Sequence, residues 1–449
     1  MALASSPTYS ITPSATKSVL PTNYISLYDF SSVYLPDTHE EIARQYGNQS
    51  ITGLLYLLGA ESSLEADKFV WTEDGRLHTV YTDATFVQAT GVVTKAGHNF
   101  RKNEVVHISN ATTKGVGIIT AVTTDTFTVS PYKASIPVVD GTVTTFVIGS
   151  EYRKGTSGME GSLEKDLTIL DNKPIILKDK YEVSGSDATN IGWVRTSSGG
   201  YLWYMESEFD SRRRWEDRLE MALILGEEAE SGSDAETAGF LGTEGLFAAI
   251  ETRGNIYDDI ISTIPEWDTV VKRFDSQGKI ADYTFYVDRD QSIATDNDLG
   301  ALNAGYSGGV SYGMFKNSES MSVNLGFTGF RRGSYSFHKT DYKLMNDPTL
   351  VGAVADAAGK QKGLLVPIGT KEVYEGAYNG ANHATKNKVP YLHCKYKRAG
   401  SEDRKYKTWV TGSVGGVYTD DKDTMSVHHL SERMLATVGA SNFMEVVGA

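Results

Sequence analysis

The residues of this chain that could do chemistry are few, and their spacing is poor. Gly305-Tyr306-Ser307-Gly308-Gly309 matches G-x-S-x-G, in which a nucleophilic serine sits on a sharp turn between a strand and a helix. Asn303-Ala304 before it and Val310-Ser311-Tyr312-Gly313 after it supply neither element, so a flexible loop is expected. Asp288-Arg289-Asp290 with Asp296-Asn297-Asp298 has the acidity of a calcium loop. Such a loop needs Gly at its sixth position and Glu at its twelfth, and counting from Asp288 these are Ile293 and Leu299. The carboxylates therefore read as turn and cap residues. His428-His429 and His393-Cys394 are the only close pairs of soft ligands. Neighbours cannot easily face one metal, and no C-x-x-C or H-E-x-x-H spacing accompanies them. Asp420-Asp421-Lys422-Asp423 reads as a polar turn, and Gly359-Lys360 lacks the rest of a phosphate loop. No catalytic, metal-binding or cofactor-binding residue is expected, and no cofactor.

The bulk properties narrow the classes further. The formal charge is −14 over 449 residues. A protein gripping nucleic acid through its phosphates needs a basic surface. The basic clusters at Arg212–Arg214 and Lys395–Lys407 are diluted by acids and read as salt-bridged or solvated faces. An acidic balance suits a protein that must stay soluble at high concentration. The best apolar run, Ile51 to Ala60, is too short to span a bilayer and is broken by Gly53 and Gly59. Cys394 is the single cysteine, so no intrachain disulfide forms. With no basic-then-apolar start, synthesis in a reducing compartment is expected.

The elements carry more information than the motifs. Tyr201 to Glu228 runs without Pro, and Leu202, Met205, Phe209, Trp215, Leu219 and Ala222 recur at helical spacing. Glu208 with Arg212, Asp210 with Arg214 and Arg213 with Asp217 place opposite charges four apart. Each pair adds only about 0.3–0.5 kcal/mol. A helix of this length is about 40 Å long, a spine more than a catalytic loop. Phe86 to Ile148 changes character: Thr and Val dominate. Asn103 to Ile108, a strand with Val116, Ile118, Thr120 and Val122 on one face, and Thr126 to Val129 predict a small β-barrel or sandwich. It is flanked by extended chain, Lys68 to Tyr81 before it and Leu167 to Val183 after it. Between them Arg153 to Lys165 is polar and glycine-rich. A helix over Glu266 to Phe274 behind Pro265, a buried strand over Tyr283 to Val287, a short helix over Asp298 to Ala304 and a strand over Thr408 to Val417 are expected beyond the spine. Residues 1–35 read as an extended arm. Thr38-His39-Glu40-Glu41 has the form of a capping box, and Leu54 to Leu58 reads as a second short helix.

Taken in order, these parts resemble the major capsid protein of a tailed double-stranded DNA bacteriophage with the Hong Kong 97 fold, closest in flavour to podovirus-like or crAss-like members. The Ser- and Pro-rich start is similar to that family's N-terminal arm. Phe69-Val70-Trp71-Thr72-Glu73-Asp74, Gly155 to Gly161 and Leu167 to Gly185 resemble the limbs of its extended E-loop. The helix from Tyr201 falls where its spine helix belongs.

The resemblance implies an α+β fold with these parts: arm and short helices in 1–60; an E-loop region in 61–195 with an inserted β-domain at 86–148; a peripheral domain in 196–265 with its spine at 201–228; an axial domain in 266–425; and a C-terminal return segment in 426–449. It implies a shell-forming protein that assembles with itself as hexamers and pentamers. Scaffolding, portal and decoration proteins are the further partners, with DNA enclosed without sequence-specific binding. The chain would be made in the host bacterial cytoplasm, reside in the virion, touch no membrane and perform no catalysis. Candidate contacts between subunits are Arg153, Lys154, Glu160, Glu164 and Lys165 in the glycine-rich stretch, and Glu208, Arg212 and Arg213 on the helix. The alternatives are another virion component (decoration, portal-associated or tail) and a hydrolase with a dispersed site.

Overall fold

The computed structural model describes residues 61–163, 167–189, 203–278, 280, 282–307, 328–353, 360–375, 385–414 and 418–448. The expected N-terminal arm and its two short helices lie outside these residues. The chain forms two compact units, one of residues 68–172 and one of the remainder.

The unit of residues 68–172 follows strand β1 (Glu61–Leu64), which belongs to the other unit. It opens with β2 (Phe69–Asp74) and closes with β9 (Leu167–Asn172), which pair antiparallel as a two-stranded ribbon. Between them lie β3 (Val80–Val87), β4 (Val92–Thr94), β5 (Glu104–Ser109), β6 (Lys114–Val122), β7 (Thr126–Pro131) and β8 (Gly141–Ser150). They close into a barrel in the order β3-β4-β7-β6-β5-β8. Period-2 alternation drives this: Phe86, Val106, Ile108, Ile119, Phe127 and Val129 point inward and are almost fully buried. Phe100 and Phe127 meet edge to face at 5.0 Å. On β6 the expected face of Val116, Ile118 and Thr120 is the outer one. Its inner face is Gly117 and Ile119, for a steric reason. A Cβ at Gly117 would lie 2.4 Å from Val129 Cγ1 and 2.7 Å from the Ser130 carbonyl oxygen, so β6 passes too close to β7 for any side chain there.

The other unit holds two sheets. The first has β1, β10 (Ile175–Ser184), β18 (Leu392–Ala399) and β21 (Thr424–Thr437) in the order β1-β18-β21-β10. Two short strands, β19 (Glu402–Asp403) and β20 (Lys407–Gly412), join β18 and β21 respectively. The second has β11 (Asn255–Asp258), β12 (Asp282–Val287), β13 (Gly329–Arg332), β14 (Tyr335–Asp341), β15 (Gln361–Pro367) and β22 (Met444–Val447), in the order β11-β22-β15-β12-β14-β13. The pair β16 (Thr370–Glu375) and β17 (Thr385–Pro390) stands apart as a hairpin.

Helix α1 (Trp203–Leu225) lies on β21 and β10. Its buried stripe is Trp215, Leu219 and Leu223, each four residues on. The expected stripe began further back, but Phe209 is half exposed. Trp215 fixes the helix by stacking on His429 of β21 at 5.4 Å. Helix α2 (Leu246–Arg253) inserts Leu246, Phe247 and Ile250 into a core shared with Tyr286, Leu364, Leu392 and Leu435. Both sheets contribute to that core. Helix α3 (Ile264–Gln277) covers the opposite face of the second sheet. The capping box at its start is complete, with the Thr263 backbone N–H donating to Glu266 Oε2 at 3.0 Å. Trp267, Val270 and Phe274 then bury one face against Phe285 and Tyr283.

One sequence expectation fails at α4 (Arg289–Ser307). The helix starts nine residues before the short one expected at Asp298, because Asp288 caps it: the Gln291 N–H donates to Asp288 Oδ1 at 2.8 Å. Gly305, Tyr306 and Ser307 are therefore the helix's end and not a loop, and Gly308 and Gly309 lie outside the described residues.

Candidate assembly surfaces

The carboxylates and histidines that could have made a reactive site are absorbed by the fold. Asp288 is buried between Lys362 (3.6 Å) and Lys360 (4.0 Å), Asp290 pairs with Lys362 at 3.0 Å, and Asp296 pairs with Lys339 at 2.5 Å. His428 meets Thr411 Oγ1 at 2.8 Å and stacks on Trp409, while its neighbour His429 meets Thr408 Oγ1 at 3.2 Å and stacks on Trp215. Alternation on β21 thus sends the two rings to opposite faces of the sheet. Burial pushes the Cys394 thiol up to about 11, so it stays protonated and a poor nucleophile. Burial, with Lys395 adding to it, lowers His393 to about 4 and keeps it neutral. Among the described residues no group of three His, Cys, Asp or Glu is placed to hold a metal ion. Among the described residues no helix is long and apolar enough to cross a membrane.

What the described surface offers is apolar area. The β2/β9 ribbon has two faces. Phe69 and Trp71 stack on one at 5.7 Å, with the indole N–H donating to Glu73 Oε1 at 3.0 Å. On the other, the register sets Thr72 opposite Ile169 and Asp74 opposite Leu167. Val70, Ile169 and Leu167 on that face are 49%, 69% and 51% exposed. A two-stranded ribbon is marginal in water unless one face is covered. The barrel carries a second apolar row on its outside. Cross-strand pairing aligns Val80, Phe146, His107 and Val116 across four strands, and the His107 ring stacks on Phe146 at 5.0 Å. Val80 and Val116 in this row, and Ile148 beside it, are exposed.

The charged candidates fall into two groups in different units. Arg153, Lys154 and Glu160 are exposed on the connection that returns the chain from barrel to ribbon. Within that connection Thr156 Oγ1 donates to the Arg153 carbonyl at 2.7 Å, and Arg101, just ahead of β5, ties it to the barrel by donating to the Gly161 carbonyl at 3.2 Å. Gly155 and Gly161 both hold φ of +79°, which favours glycine. Glu164 and Lys165 lie outside the described residues. On α1, Arg212 pairs at 3.0 Å with Glu216, one turn after it, and not with the expected Glu208, one turn before it. The Arg213 guanidinium sits 5.7 Å from the Phe209 ring. Glu208 is half-buried and its charge bears on His429.

One cluster escaped sequence reasoning because its members are hundreds of residues apart. Arg433 is buried, and its Nη1 donates to Glu61 Oε1 at 3.0 Å, with Lys405 also paired to Glu61. Its guanidinium further donates to the Lys405 carbonyl and lies 4.0 Å over the Tyr406 ring. This clasp fastens β1, paired in parallel with β18, to the first sheet.

No family model matches the chain, and no curated protein does. Solved structures do show similarity. One from Microbacterium phage Oxtober96 is 8% identical, covering 94% of this chain and 99% of that one, with a TM-score of 0.43. One from Gordonia phage Cozz is 8% identical, covering 98% of each, at 0.42. The capsid of a native GTA particle is 8% identical, covering 93% of this chain and 96% of that one, at 0.40.

Proposed function

We propose that this chain is the major capsid protein of a tailed double-stranded DNA bacteriophage, assembling with itself into the icosahedral head shell. The observation that carries this reading is the β2/β9 ribbon. It interrupts the chain between β1 and β10, exposes Val70, Leu167 and Ile169, and has no third strand among the described residues. Such a ribbon is built to be covered by another surface. In this reading it is the E-loop, lying on a neighbouring subunit. Helix α1 is the spine of the peripheral domain, the second sheet with α3 and α4 belongs to the axial domain, and β21 with β22 forms the C-terminal return. The barrel is the inserted domain, on the outer face of the shell, where a decoration protein could hold its apolar row. Hexamers and pentamers are the assembly units, with scaffolding and portal proteins as partners. The net charge of −14 suits a shell that encloses DNA without gripping its sequence. Each contact can be modest, because a closed lattice repeats it many times.

Expression followed by light scattering tests this. Rings or shells, alone or with a scaffolding protein, are the expected product. A chain that stays monomeric beside the other virion proteins would leave the reading without support.

A further inference from the structure

Glu445 is the least comfortable residue in the described fold. It lies in the middle of β22, flanked by Ile256 on β11 and Leu364 on β15. Met444 and Val446 on either side of it point into the α3 core. Alternation sends Glu445 to the opposite face, beneath α2. Its side chain is 0% exposed, and neither carboxylate oxygen has a hydrogen-bond partner of good geometry. The groups bearing on it are few. From α2 comes a second carboxylate, Glu251, and from β15 the Gln361 amide, which only partly offsets burial. β11 sets Ile256 opposite. The arginine of α2, Arg253, is committed to Glu244 through two hydrogen bonds of 2.9 Å.

We infer that Glu445 is a proton-operated latch: its neutral acid lets α2 and β11 pack on β22, and its ionisation loosens that layer. A carboxylate whose one nearby donor, the Gln361 amide, makes no well-formed hydrogen bond to it, in an apolar setting and beside another carboxylate, has no stable place in the closed layer. Opening the layer hydrates it. The direction of the pH effect follows. Burial, with Glu251 adding to it, pushes the folded carboxyl up to about 7 from an ordinary 4.5. An acid whose pKa is raised on folding contributes least cost below its open-state value. Closure therefore weakens as pH rises from the ordinary carboxylate range towards 7, and levels off above it. Between pH 6 and pH 8 the opening constant rises about tenfold on these two values. The same proton, taken up or lost, would alter how firmly α2 and the edge strand β11 are presented at the surface of this unit.

Hydrogen exchange on the purified full-length chain tests the latch. After correction for intrinsic exchange, amides of α2, β11 and β22 should open about tenfold more readily at pH 8 than at pH 6. Barrel amides should not change. Glu445→Gln should flatten the dependence, and Glu251→Gln, which leaves Glu445 in place, should move it to lower exchange at pH 8. A wild-type layer whose opening is the same at both pH values overturns the inference. So does a Glu445→Gln chain that keeps the wild-type dependence. If that variant does not fold, an unaltered profile in Glu251→Gln overturns it instead.

Discussion

Replacing Ile169 with Asp should abolish assembly while leaving the fold intact. Fully burying a Val, Leu or Ile side chain stabilises by about 1.5–3 kcal/mol. Val70, Ile169 and Leu167 have roughly half to two thirds of that still unspent, at 49%, 69% and 51% exposed. Covering all three is therefore worth about 3 kcal/mol per contact, and Ile169 supplies the largest share. An aspartate at that position forfeits its share and must keep its own hydration, which roughly doubles the loss. A contact weakened by about 3 kcal/mol binds about 100-fold less tightly. Every contact in a closed ring carries the same defect, so the losses multiply. The folded monomer loses nothing comparable, because the side chain is already in water, and surface changes of this kind stay within about 0.5 kcal/mol. Light scattering would follow assembly, and circular dichroism with thermal melting would follow the fold. Normal particles from Ile169→Asp would refute the reasoning about the ribbon. An unfolded monomer would show that the ribbon face is already buried against its own chain.

Further outcomes follow from the same geometry. Gly117→Val should destabilise the barrel by about 2–3 kcal/mol through its collision with β7, seen as a lowered melting transition. Residues 80–150 expressed alone should melt cooperatively, because their core of Phe86, Val106, Phe127 and Val129 is self-contained; a disordered spectrum would remove the claim of autonomy. Glu61→Ala should cost about 2–3 kcal/mol in urea unfolding by stranding buried Arg433, with much of it recovered in the Glu61→Leu, Arg433→Met double variant. Deleting 153–163 should leave the sheets and α1 folded while blocking assembly, and loss of the monomer fold would contradict the assignment of this stretch to an assembly loop.

Regular local patterns were legible from residues alone. The period-2 runs around Val106, Phe127 and Val129 announced a small β module, and they close into a barrel. Pro265 with Glu266 announced α3, and its capping box is complete. What the pattern could not reveal was which face turns inward. On β6 Val116 and Ile118 face out, and the close approach of β7 demands glycine at position 117 on the inner face, beside Ile119. The start of α4 was missed because Asp-rich chain reads as a turn until a cap and an ion pair from Lys362 are known. The apolar face of the ribbon was readable in principle: Val70, Leu167 and Ile169 alternate with Trp71 and Leu170, which marks a strand apolar on both sides. The Glu61–Arg433 clasp and the isolation of Glu445 were not readable, since each depends on strands far apart in sequence being brought side by side.

In the proposed shell this chain works by covering itself with copies of itself. Electron cryo-microscopy of the full-length protein, expressed alone and with a candidate scaffolding protein, tests that most directly. Closed shells are expected in which β2 and β9 of one subunit lie on the next, with Val70, Leu167 and Ile169 buried at the contact. Separate folded chains with that ribbon face still in solvent, with the scaffolding protein as well as without it, would contradict the proposed assembly.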